Sequence, residues 1–124
     1  MIAGVGIDLC GIARMERLLA DEKFLRRFFS AEEQAYIEGK GKSAAQTMAG
    51  IFAAKEALCK ALGTGITADL RQISVVHDAQ GAPRYVLEGE YARLAEDRRI
   101  STFFLSITHE NGMAAAVCVA ERNG

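Results

Sequence analysis

The 124-residue chain carries fifteen Lys and Arg against sixteen Asp and Glu, a formal net charge of -1, with 50% of its residues hydrophobic and 25% charged. That length and balance exclude two large domains, a disordered tail and a fibrous repeat, and they leave no global positive field to hold nucleic acid or an anionic membrane. The apolar run from Met113 to Ala120 is too short to span a bilayer, and Met1 to Cys10 lacks the charged start of a secretory leader. The expectation is therefore one cytoplasmic domain over residues 1–124. Cys10, Cys59 and Cys118, with only His77 and His109 beside them in the sequence, form no zinc spacing and read as reduced, buried small hydrophobes.

In chain order, Ile2 to Asp8 mixes β-branched residues with glycine and predicts a short buried strand that delivers Asp8 to its end; Gly4 and Gly6 signal close backbone contact. Ile12, Met15, Leu18 and Leu19 recur at helical spacing, and Phe24, Leu25, Phe28 and Phe29 continue the apolar surface. Ser30 with Glu33 three residues on forms a capping-box signature, and Ser43 with Gln46 forms another. The second opens the longest predicted helix, which runs to Leu62 and stops at Gly63. Met48, Ile51, Phe52, Leu58, Cys59 and Leu62 share one face of it, with Lys55 in the middle. Ile73 to His77 then alternates with period two, residues 78–83 turn the chain, and Tyr85 to Glu88 returns as a hairpin. A helix over Glu90 to Glu96, a strand over Thr102 to His109, an Asn111-Gly112 turn and an apolar strand over Met113 to Glu121, covered on both faces, complete the pattern. The fold class is α+β, a mostly antiparallel sheet packed on one long helix.

Five side chains and one glycine loop invite chemistry. Lys55 must either extend its amine to water or meet an anion, because an unpaired buried ammonium is costly. Glu56 and Lys60 form either an ordinary i,i+4 surface pair or, with Lys55, a carboxylate bracketed by two amines. Asp8 either caps the next helix or joins Glu56 in the sparse carboxylate set that suits Mg²⁺, an ion that keeps several waters and takes oxygens from phosphates. His109 ends a strand beside the hydroxyls of Ser106 and Thr108. Gly63-Thr64-Gly65 is foremost a helix stop, although its backbone is open to a ligand.

Together these segments closely resemble the holo-acyl-carrier-protein synthase group of 4'-phosphopantetheinyl transferases, over nearly the whole chain. The resemblance rests on Gly6-Ile7-Asp8-Leu9 with Ile12 and Arg14, on the long motif from Phe52 to Ile66, on Leu105-Ser106-Ile107-Thr108-His109 and on the Gly81-Ala82-Pro83 turn. It implies transfer of the 4'-phosphopantetheine arm of coenzyme A to a serine of apo acyl carrier protein, in fatty acid or polyketide synthesis, with release of adenosine 3',5'-bisphosphate. It further implies Mg²⁺, with Mn²⁺ as an alternative, on Asp8 and Glu56, and Lys60 beside the pyrophosphate. Lys55, Gly63, Gly65, Pro83, Ser106 and His109 are the implied coenzyme A contacts. Either Glu56 or a water on the metal takes the serine proton. Ile51 departs from the family, which often carries a basic residue there.

The resemblance also implies docking of an acidic carrier on Arg14, with Arg17, Arg26 and Arg27 nearby, and a homotrimer with sites at subunit interfaces. Two competing classes are a coenzyme A-binding module without transfer and a structural oligomerisation domain. The Asp8, Glu56 and Lys60 set argues against both.

Overall fold

The computed structural model describes residues 1–123. Its elements are β1 (Ile2–Gly11), α1 (Ile12–Leu18), α2 (Glu22–Phe28), α3 (Ala31–Glu38), α4 (Ala44–Leu62), β2 (Ile73–His77), β3 (Pro83–Leu87), α5 (Gly89–Asp97), β4 (Ile100–Glu110) and β5 (Met113–Arg122). The strands form two antiparallel sheets, one of three strands ordered β1-β5-β4 and a β2-β3 hairpin. The α+β expectation holds, with the strands divided between two sheets. Asn111 and Gly112 both take positive φ, 49° and 74°, which is what a two-residue turn needs to join β4 to β5 without splaying them.

Helix α4 crosses the inner face of the three-stranded sheet, and small residues let it come close. A Cβ built at Gly6 would stand 1.8 Å from the Ala57 carbonyl oxygen, and one at Gly4 would stand 2.0 Å from that of Ala61. Only glycine therefore allows β1 to lie backbone-on-backbone against the helix. Ala114, Ala116, Cys118 and Ala120 of β5 are buried beneath the same helix. On its other sides α4 meets α1, α3 and β2, so it is buried nearly all round rather than along the single predicted stripe. Phe24, Phe28 and Phe29 pack on Phe52 at ring separations of 5.8 to 6.1 Å and seal the α2 side.

Three expectations need correction. Ser43 caps nothing with its side chain, because a 3-10 turn over Gly41–Ser43 leads straight into α4 and places Ser43 outside the extended conformation that a capping box needs. The Ser30 box, by contrast, forms on both sides. Strand β1 is longer than predicted and is not buried on both faces: Val5, Ile7 and Leu9 are 57%, 63% and 63% exposed. Strand β5 is likewise covered on one face by α4, while its other face is half-buried. These outward apolar residues, with Phe104 and Met113, make the sheet's outer face an uncovered hydrophobic surface in the single chain. All three cysteines are buried and unpaired among the described residues, as expected.

Candidate active site

The close approach of β1 to α4 brings Asp8 to Lys60. The Lys60 ammonium donates to Asp8 Oδ1 at 2.9 Å and to the Ile7 carbonyl at 3.1 Å. Asp8 is 12% exposed and Lys60 54%, so the carboxylate is sheltered while the ammonium faces solvent. The bond to Asp8 pushes the Lys60 ammonium's pKa up. Glu56 stands one turn before Lys60. Burial first, and then the neighbouring Asp8 charge, push the Glu56 carboxyl up, against the pull of Arg14 and Lys60. Two carboxylates that repel one another beside two cations form an electrostatically unfinished group.

Arg14 projects from α1 with its guanidinium 5.5 Å from the centre of the Phe52 ring. It thus borders the acidic pair while resting on the aromatic seal. Gly63 and Gly65 follow α4 with φ of 77° and 69°, and nothing would meet a Cβ at either position. Their conformation, not crowding, calls for glycine.

Lys55 turns elsewhere. It is adjacent to Glu56 in sequence and therefore about 100° from it around the helix. Its ammonium is fully buried in an ion pair with Glu33 and donates to the carbonyls of Ile73 at 2.7 Å and Leu70 at 3.0 Å. Glu33 in turn accepts from the Ser30 amide at 2.9 Å and the Val75 amide at 2.8 Å. Burial pulls the Lys55 ammonium down, opposed by Glu33. Of the two alternatives for Lys55 the pairing with an anion holds, but the anion is Glu33 of α3, so the amine neither reaches water nor brackets Glu56 with Lys60. Its donors are spent inside the protein, on α3 and the segment leading into β2.

The remaining predicted contacts divide. Pro83 and His109 line a cleft of about 330 Å³ on another flank of α4, together with Tyr36, Lys40 and His77. The imidazole of His77 stacks flat on Tyr36, centroids 4.1 Å apart and planes 5° from parallel. His77 Nδ1 and His109 Nε2 are buried with no hydrogen-bond partner among the described residues. Gly50 makes room for the histidine, since a Cβ there would stand 3.2 Å from His109 Nε2. Ser106 lies three positions before His109 and therefore on the opposite face of β4: His109 shares the inward face with Ile107, while Ser106 is exposed on the outer face.

Residues 4–118 match the family model of the 4'-phosphopantetheinyl transferase superfamily. The chain belongs to that family. It is 43% identical to holo-[acyl-carrier-protein] synthase from Treponema denticola over 98% of this chain and 99% of that protein. The Neisseria meningitidis holo-[acyl-carrier-protein] synthase has the same fold at a TM-score of 0.88, with 35% identity over 98% of this chain and 100% of that one. The Helicobacter pylori enzyme, solved in complex with coenzyme A, superposes with a TM-score of 0.81 at 34% identity over 94% of this chain and 99% of that one.

In this phosphopantetheinyl transferase, sequence reasoning missed Glu33, Tyr36 and His77. Glu33 already had a local role in the Ser30 box, and nothing nearby in sequence marks its second oxygen as the partner of Lys55. His77 reads as one more member of an alternating strand; only the stacked Tyr36 from α3 makes it distinctive.

Proposed function

We propose that this chain transfers the 4'-phosphopantetheine arm of coenzyme A to a serine of apo acyl carrier protein, releasing adenosine 3',5'-bisphosphate in a Mg²⁺-dependent reaction. The observation that carries the reading is the meeting of Asp8, Glu56 and Lys60 where β1 crosses α4. Two hard oxygen donors with mutual repulsion fit a divalent cation that completes its shell with waters and phosphate oxygens, and Mn²⁺ suits the same donors. Among the described residues, no group of three or more His, Cys, Asp and Glu gathers to hold a metal. When bound by Asp8 and Glu56, Mg²⁺ supplies positive charge to the pyrophosphate.

In the reaction, the serine oxygen bonds to the phosphorus that carries the pantetheine arm, and the bond from that phosphorus to the bridging oxygen of the pyrophosphate breaks. The electron pair leaves with the nucleotide. Lys60, solvent-facing and already charged, neutralises the phosphate oxygens, and a carboxylate oxygen of Glu56 takes the serine proton. Phosphoryl transfer asks for this positioning and charge neutralisation more than for covalent help. Gly63 and Gly65 let the backbone approach the co-substrate, and Pro83 and His109 meet its nucleotide end.

An acidic carrier finds a complementary face on Arg14 and on Lys23, Arg26 and Arg27, which line a cleft of about 560 Å³ beside Ile66. The uncovered outer face of the sheet supports assembly as a homotrimer. Ile51 in the histidine cleft and Glu56 lie about 140° apart around α4, so a neighbouring copy brings the second cluster to the first. No helix among the described residues is long and apolar enough to cross a membrane, and the reading places the enzyme in the cytoplasm, serving fatty acid synthesis.

The test is intact-mass spectrometry of an apo acyl carrier protein incubated with this protein, coenzyme A and Mg²⁺, with an EDTA control. The reading expects a gain of one phosphopantetheine group that EDTA abolishes. Coenzyme A binding without transfer to any of several carriers sinks it in favour of a binding module.

A further inference from the structure

Residues 63–69, between α4 and β2, belong to no helix or strand, and they include the two glycines assigned to the co-substrate. Both ends of this loop are fastened to the last turns of α4. At the near end the Gly63 amide donates to the Lys60 carbonyl at 3.0 Å. At the far end one hydroxyl serves: that of Tyr91 in α5 accepts from the Ala68 amide at 3.1 Å, donates to the Ala68 carbonyl at 3.0 Å and accepts from the Cys59 thiol at 3.8 Å. Both lone pairs and the single proton of the hydroxyl are thereby used. Ala68 receives from one side chain the two bonds that a neighbouring strand would give it, and is tied to Cys59, the residue before Lys60. Between these ties Thr64 Oγ1 bonds locally, to the Gly65 carbonyl at 3.1 Å, and two left-handed glycines leave the loop little order of its own.

Tyr91 is itself rigidly placed. Its side chain is fully buried, and the start of its helix is fixed by Gln72, which accepts from the Glu88 amide on its carbonyl at 2.8 Å and from the Glu90 amide on its side-chain oxygen at 3.0 Å. Past Ala68 the chain is held independently, by Lys55 on the carbonyls of Leu70 and Ile73. Loss of the Tyr91 hydroxyl therefore frees residues 63–68 and leaves β2 in place. We infer that Tyr91 is a positioning residue for the co-substrate: through Ala68 it holds residues 63–67 beside Lys60 in the conformation that receives coenzyme A. This rests on the transferase reading above. A loop released at one end is competent for only a fraction of the time, and the apparent Kd rises by the inverse of that fraction. The chemical step belongs to Asp8, Glu56 and Lys60, so the effect falls on binding.

The experiment measures kcat and KM for coenzyme A, its calorimetric Kd, and amide hydrogen exchange by NMR in the wild type, Tyr91→Phe and Tyr91→4-aminophenylalanine. Tyr91→Phe keeps the buried ring and deletes the hydroxyl. It is expected to raise KM and Kd roughly tenfold with kcat changed by less than about twofold. Exchange over residues 64–68 should quicken roughly tenfold while β1 and β5 exchange as in the wild type. The 4-amino group both donates and accepts, and is expected to bring KM back to within about threefold of the wild type. A variant that was merely less stable would lose active enzyme, lowering kcat at unchanged KM; that result, or unchanged exchange over residues 64–68, overturns the assignment. So does fast exchange of the Ala68 amide in the wild type, a readout that needs no variant to fold. Weaker coenzyme A binding by Tyr91→Phe, when the wild type binds coenzyme A but transfers nothing, would overturn the transferase reading and leave the role of Tyr91 standing.

Discussion

Lys55 and Lys60 sit five residues apart on α4 and work under opposite conditions. Lys60 faces solvent and shares its charge with a sheltered aspartate, so it is free to exchange that partner for a phosphate. Lys55 is sealed against Glu33 and two carbonyls, and any exchange would strand a buried charge. A rotation of about 140° around one helix separates them. Residue type and helical position therefore say little about role until the partner across the fold is known.

Breaking the buried pair should have the largest effect. Lys55→Ala leaves the Glu33 carboxylate unpaired and is expected to cost about 3–5 kcal/mol of stability in urea denaturation, whereas Lys55→Met with Glu33→Gln recovers most of it. If the single variant unfolds at the same midpoint as the wild type, the account of Lys55 fails. Lys60→Ala is the mirror case: turnover should fall about 10²-fold while the denaturation midpoint stays where it was. Loss of both together would mean that Lys60 is a structural residue like its neighbour. Gly6→Ala attacks the contact that brings Asp8 to Lys60, and overpacking against the Ala57 carbonyl should cost about 1–3 kcal/mol together with activity.

Arg14→Glu sharpens the contrast between rim and core charges. Its KM for an acidic carrier should rise about tenfold at low salt and approach the wild-type value at high salt, as screening removes the encounter term. No salt dependence in that difference would remove Arg14 from docking. The smallest effect concerns His77, whose imidazole burial holds below its ordinary value near 6.5. Above that value folded and unfolded chains are both neutral there. As pH falls below it the unfolded chain binds the proton first, so stability drops until the folded imidazole also charges. The thermal midpoint of the wild type should therefore decline more steeply than that of His77→Gln as pH falls from 6.5, and parallel curves would show that His77 contributes nothing to it.

Much of the architecture was legible because its signals are local. The Ser30 box, the Gly63 stop, the Asn111-Gly112 turn and the alternation through β2 and β4 each depend on residues within a few positions of one another. The failures are equally physical. The Ser43 signature lost to a 3-10 turn that occupies the same residues, and the outer faces of β1 and β5 look buried in sequence because apolar character cannot say which chain provides the cover. Asp8, Glu56 and Lys60 were individually weak and became a set through the resemblance of their motifs; the geometry then brought Asp8 and Lys60 within hydrogen-bonding distance. Lys55 was misread because its anion lies 22 positions away.

By itself the sequence determined the helix and strand order, the family and the small residues that let β1 approach α4, since periodicity, turn chemistry and motif length are properties of contiguous chain. Tertiary structure alone decided which lysine is sealed and which is open, and that Tyr36 would lie flat on His77. Those outcomes depend on which groups remain to satisfy a buried charge or ring nitrogen once distant segments have packed, and packing is where water is removed and the polar partners are chosen.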